Sequence, residues 1–169
     1  MLSRRLLLLS LLCALSSVQA AEPAPLAAPK GKVVLTIKGK IEVKNRGNEA
    51  VLDMDMLSAL PQHTFTTNTP WNKAPVKFTG PKLADVLKLV KAKGTSMKAS
   101  AINDYHITIP MEDATRFDVV VARLINDQPI PVREKGPLFV IYPFDSSAEL
   151  RSSTYYERSI WQLKSLQIQ

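Results

Sequence analysis

The stretch "VKFTGPKLADVLKLVKAKG", residues 76–94, carries the clearest periodicity in the chain. Leu83, Val86, Leu87 and Val90 recur at helical spacing and line one face. Thr79-Gly80-Pro81 reads as the opening of this helix and Gly94 as its stop. On either side the apolar period drops to two. "MKASAIN" (97–103), "YHITIP" (105–110) and "FDVVVARLIN" (117–126) read as strands, with Asn126-Asp127 turning the chain before "QPIPV". "PLFVIYP" (137–143) is apolar throughout, as a strand buried on both faces must be. "IWQLKSLQI" (160–168) ends the chain by alternating Ile160, Leu163, Leu166 and Ile168 with other residues. Upstream, "KVVLTIKGKIEVKN" (32–45) reads as a hairpin turning at Lys38-Gly39-Lys40. "LDMDMLSALPQ" (52–62) reads as a short helix capped by Asp53 and ended by Pro61, followed by the extended, Thr-rich "HTFTTNT". Many strands around one substantial helix predict an α+β domain of mixed, mainly antiparallel β-sheets with a few helices.

Residues 1–20 read as an export signal. Arg4 and Arg5 give a positive start, Leu6 to Leu15 an apolar run, and Val18-Gln19-Ala20 a small-residue cleavage site. The run is shorter than the ~20 residues of a spanning helix. Ser3-Arg4-Arg5 has some twin-arginine character, but a leucine-dense run fits ordinary export of an unfolded chain. A cut after Ala20 leaves 149 of the 169 residues and removes Cys13, the one cysteine. No disulfide, thiolate ligand or cysteine nucleophile then remains. The net charge of +7 falls to +5 without the two arginines. No Lys/Arg block suggests nucleic-acid binding. "AEPAPLAAPKGK" (21–32) is Pro/Ala-rich and reads as a flexible leader to a single domain over 33–169.

Other chemistries find little support. His63 and His106 are the only histidines and neither sits in a metal-ligand spacing. No Gly-x-Ser-x-Gly elbow and no Gly-rich phosphate loop is present. Glu112-Asp113 and Asp53/Asp55 read as helix-start charges.

The order of "FTGPKLADVLKLVKAKG", "INDYHITIPMEDA", "LINDQPIPVREKGPLFVIYP" and "SIWQLKSLQI" resembles the molybdopterin-binding domain of the sulfite oxidase fold, over roughly residues 33–168. That resemblance implies a pterin-type cofactor. In the enzymes of the family, one cysteine thiolate holds molybdenum; it would fall near Asn68-Thr69, where amide and hydroxyl are poor substitutes. The enzymes' phosphate-holding arginine and lysine fall where Phe139 and Ile160 stand. "TPW", "NDY", "GPLFVIYP" and "RSIWQL" look more like small exported proteins that bind a reduced pterin. Those proteins report it to the periplasmic domain of an inner-membrane enzyme that makes or degrades cyclic di-GMP. The resemblance therefore implies a periplasmic binding protein with a pterin ligand, no molybdenum, no covalently bound cofactor and no catalysis. The competing reading is a molybdopterin-dependent oxidoreductase or a degenerate subunit of one. A third is a remnant that binds only protein.

Eight residues are candidates for the ligand site. Trp71, in a Pro corner among polar residues, is a stacking wall for a ring or a core filler. Asn68 and Thr69 are ligand contacts or turn-formers. Asp104 and Tyr105 sit at a strand-to-strand tip, where the carboxylate can accept from a pterin's N–H edge or simply make the turn. Arg151, Tyr155 and Arg158 belong to the loop predicted over 144–159, "FDSSAELRSSTYYERS". In the switch reading, the arginines close over the ligand while Tyr155 or Tyr156 faces a partner. Trp161 begins the last strand and reads as core or as a site residue.

Overall fold

The computed structural model describes residues 25–169. The signal-peptide reading of residues 1–20 and the first part of the leader lie outside the described residues. In chain order the elements are β1 (Val33–Gly39), β2 (Ala50–Asp53), α1 (Met54–Ala59), β3 (Gln62–Thr67), β4 (Val76–Pro81), α2 (Leu83–Leu89), β5 (Ser96–Ala101) and β6 (His106–Pro110). They continue with α3 (Asp113–Arg116), β7 (Val120–Ala122), β8 (Leu124–Ile125), β9 (Gln128–Pro129), β10 (Phe139–Ile141), two short 3-10 turns, α4 (Ser153–Arg158) and β11 (Leu163–Ile168).

Three sheets organise them. One runs β2-β1-β11-β5-β6, the second β3-β4-β8-β9, and the third is the pair β10-β7. All pairings are antiparallel except β1 with β11, which brings the two ends of the domain side by side. The core between the sheets and α2 is built on Tyr142, Phe78, Phe139, Phe144, Leu35, Ile37 and Leu138, all essentially inaccessible. Each such side chain contributes about 1.5–3 kcal/mol relative to leaving it in water.

Local chemistry explains several elements. Asp53 caps α1 by accepting from Met56 N–H at 2.9 Å, and its other oxygen accepts from Lys30 and Gly31 N–H, each at 2.8 Å. These amides hold its carboxyl below the usual carboxylate range, that of Gly31 foremost. Asn126 and Asp127 both take positive φ, as a tight hairpin turn between β8 and β9 requires.

Five expectations are corrected. The first hairpin does not return at Ile41 and Val43: Gly39, at φ 91, approaches the Ile168 carbonyl so closely that no Cβ fits. The chain then passes to the end of α2, where Ile41 bridges Ala92, and the partner of β1 is β2. Thr79-Gly80-Pro81 is the end of β4 rather than a helix start, because Gly80 packs directly on the Val121 carbonyl. α2 ends at Leu89, with Lys91 at φ 47 reversing the chain, and Gly94 instead admits the Gln169 carbonyl. The closing strand begins at Leu163 rather than Ile160; its uneven apolar spacing is absorbed by a register shift between Leu163 and Ser165.

The fifth correction concerns residues 144–159. They form two 3-10 turns, Phe144–Ser146 and Ala148–Leu150, and then α4, not a loop. α4 is too short to be stable alone. Long-range bonds fix it: Arg158 Nη1 donates to Asp113 Oδ2 at 2.9 Å, and Tyr155 packs on Phe117 and Tyr142.

Candidate functional site

Beside α4 lies an aromatic cleft of about 520 Å3, inside the roughly 300–1,000 Å3 of small-molecule sites. Pro70 and Trp71 from the β3–β4 connection form one wall, and Asn103 and Tyr105 from the β5–β6 turn a second. Ser153, Tyr156, Glu157, Ser159, Ile160 and Trp161 complete it from α4 and the approach to β11. The chain's two tryptophans thus both line it, with ring centroids 5.6 Å apart and planes at 82°. Edge-on contacts fix Trp71 further: its ring lies 6.1 Å from Phe144 and 6.2 Å from Tyr156. Trp71 therefore both packs on the core and lines the cleft. Such tilted and T-shaped rings hold one another without covering their outer faces.

Of the eight candidates, the structure brings Trp71 and Tyr105 into this cleft and leaves six outside its lining. Asn68 donates its backbone N–H and Nδ2 to Asp145 Oδ2 at 2.7 and 3.0 Å, and this backbone bond is the main reason Asp145 titrates below the usual range. Thr69 is buried and donates to Asn72 Oδ1 at 2.9 Å. Asp104, at φ 66, makes the turn and pairs with Lys164 at 3.1 Å. Arg151 is exposed near Asp145. Tyr155 is buried; its hydroxyl donates to Glu149 Oε1 at 2.8 Å, and burial, ahead of that bond, raises its pKa.

Arg158 points the other way from the cleft, into a buried polar cluster. Asp113, 2% exposed, accepts from Arg158 and, at 2.6 Å, from the hydroxyl of the fully buried Tyr142. Burial first and this bond second drive the Tyr142 pKa far above its ordinary value. The cluster anchors the inner face of α4, so its outer face can present Ser153, Tyr156 and Glu157 to the cleft.

Sequence reasoning passed over Asn103, Ser153 and Glu157, and kept Tyr156, read as partner-facing, and Trp161, read as core or site, out of the eight ligand candidates. The signal was present in "STYYER": once it is helical, residues 153, 156 and 157 share a face and Tyr155 does not. A second, smaller cavity of about 310 Å3, lined by Phe78, Ile125, Lys135 and Phe139 among others, lies behind the aromatic wall. Among the described residues no group of three His, Cys, Asp or Glu is placed to hold a metal ion, and no helix is long and apolar enough to cross a membrane.

Comparison with protein families matches the chain, over residues 23–148, to the family described as oxidoreductase molybdopterin binding domain. No curated protein matches the chain. The matched residues contain the Trp71 and Tyr105 walls, while α4 and Trp161 lie beyond them.

Proposed function

Because the chain belongs to the oxidoreductase molybdopterin-binding domain family, matched over residues 23–148, we propose that its aromatic cleft binds a pterin ring without the metal-bearing part of that cofactor. The observation that carries this reading is the cleft lining: four aromatic side chains, Trp71, Tyr105, Tyr156 and Trp161, with no Lys or Arg among them. A flat heterocycle is held between aromatic faces, and amide, hydroxyl and carboxylate groups read its edge. A phosphate, by contrast, needs cationic or N–H donors.

The residues present do not fit a complete molybdenum cofactor. The thiolate position holds Asn68 and Thr69, both engaged by protein partners. Where the enzymes carry phosphate-holding arginine and lysine, Phe139 and Ile160 are 1% and 2% exposed and belong to the core. The protein is accordingly a binding module rather than an oxidoreductase. The basic start, apolar run and small-residue site of residues 1–20 support export to the periplasm.

In that setting the module reports ligand to the periplasmic domain of an inner-membrane cyclic di-GMP enzyme. Ile102, Tyr105, Val132 and Trp161, the large apolar side chains most exposed among the described residues, support a docking face. Gln162 links three of them, since its carbonyl accepts from Ile102 N–H and its amide donates to the Val132 carbonyl, next to Trp161. Tyr105 and Trp161 also line the cleft, so a filled cleft presents a different surface from an empty one.

Both tryptophans lie in the cleft, so intrinsic fluorescence reports its occupancy directly. Titration with a reduced pterin should quench that emission and saturate at micromolar or lower concentration. A titration without quenching or saturation, repeated by calorimetry without heat, would overturn the reading.

A further inference from the structure

We propose that Glu157 sets the chemical class of ring the cleft accepts, selecting heterocycles that present an amino group beside a ring N–H over those that present a carbonyl there. The inference rests on the ring-binding reading above and refines it. Glu157 is the one ionisable carboxylate or cationic side chain in the lining. It makes no ion pair among the described residues, whereas its neighbours on α4 are engaged: Arg158 with Asp113, and Tyr155 with Glu149.

A carboxylate left unpaired beside Trp71, Tyr156 and Trp161 repels carbonyl edges and attracts paired donors. Two parallel N–H groups suit its two oxygens, and charge assistance makes such bonds about twice as strong as neutral ones. Asp104, the residue the sequence placed in this role, is bound to Lys164 outside the cleft. Tyr156 and Glu157 both line the cleft, one offering a ring face and the other an acceptor, as an edge-read heterocycle requires.

The test compares pterin with lumazine, in which an oxo group replaces the amino group. Wild-type full-length protein and Glu157→Gln are titrated by tryptophan quenching at neutral pH. Wild type should prefer pterin by about tenfold, the scale of one bond to a charged group at a partly exposed site. Glu157→Gln should lose that preference through weaker pterin binding, with lumazine bound as tightly as by wild type or more tightly, since the charge that repels its carbonyl is gone. The side chain is exposed and bonds to none of the described residues, so the variant should melt like wild type. Equal affinity of wild type for both rings, or a preference that survives Glu157→Gln, overturns this inference while leaving the ring reading intact. If neither ring binds, or choline binds more tightly than pterin, the ring reading itself falls and this inference with it.

Discussion

Replacing Asp113 with alanine tests what holds the cleft's helical wall. The carboxylate is 2% exposed and accepts from two donors, Tyr142 Oη at 2.6 Å and Arg158 Nη1 at 2.9 Å. Asp113→Ala strands the Tyr142 hydroxyl where water does not reach, which costs about 1–3 kcal/mol. Arg158 also loses its partner, but its side chain is 21% exposed and can turn toward solvent, so this part stays well below the 3–5 kcal/mol of a fully buried pair. Together these give about 3 kcal/mol. For a domain of this size that lowers the thermal midpoint by roughly 6–12 °C. Tyr142→Phe removes one donor and leaves the ion pair, so it should cost less, about 1.5 kcal/mol. The double variant should be less destabilised than the two effects added, because the stranded hydroxyl is gone. Urea unfolding followed by circular dichroism and by tryptophan emission measures all three. An Asp113→Ala loss below about 0.5 kcal/mol, or strict additivity, would refute the argument that this cluster anchors α4.

Three further outcomes are expected. Tyr142 has a folded-state pKa raised above its unfolded value, so its contribution is fully present below about pH 10 and is lost as pH rises beyond it. Stability should therefore fall steeply in alkali, and Tyr142→Phe should flatten that limb in pH-dependent urea melts. Trp71→Ala should weaken pterin binding at least several-fold by calorimetry, since one aromatic face contributes roughly 1 kcal/mol beyond its burial. Gly39→Ala should unfold at markedly lower temperature in a thermal melt, because φ 91 is strained for alanine and its Cβ would collide with the Ile168 carbonyl.

What the sequence disclosed follows the range of the forces involved. The α2 face, the Asp53 cap and the Asn126-Asp127 turn depend on residues within a few positions, and all three formed as read. The return of β1 depends on Gly39 meeting Ile168, 129 positions on, and nothing near Ile41 reveals it. α4 was hidden for a similar reason. "SSTYYERS" mixes Thr and Tyr, which favour strands, with serines that favour turns, and its helix is decided by Asp113, Phe117 and Tyr142.

The cleft was partly legible for the same reason. Trp71 and Tyr105 stood out because bulky aromatics occupied turn-like segments. Asn68, Asp104 and Arg158 looked equally available, yet each is engaged by a partner 45 to 77 positions away: Asp145, Lys164 and Asp113. A polar side chain's freedom is a tertiary property, so local reading overcounts candidates of this kind.

The central claim is that this domain holds a pterin ring without molybdenum. It is tested most directly on protein isolated from its own host, by native mass spectrometry of the complex together with elemental analysis. The expected result is one small heterocycle per chain, with the ultraviolet spectrum of a pterin after release, no phosphate and no molybdenum. Near-stoichiometric molybdenum with a dithiolene-bearing, phosphorylated pterin would contradict it.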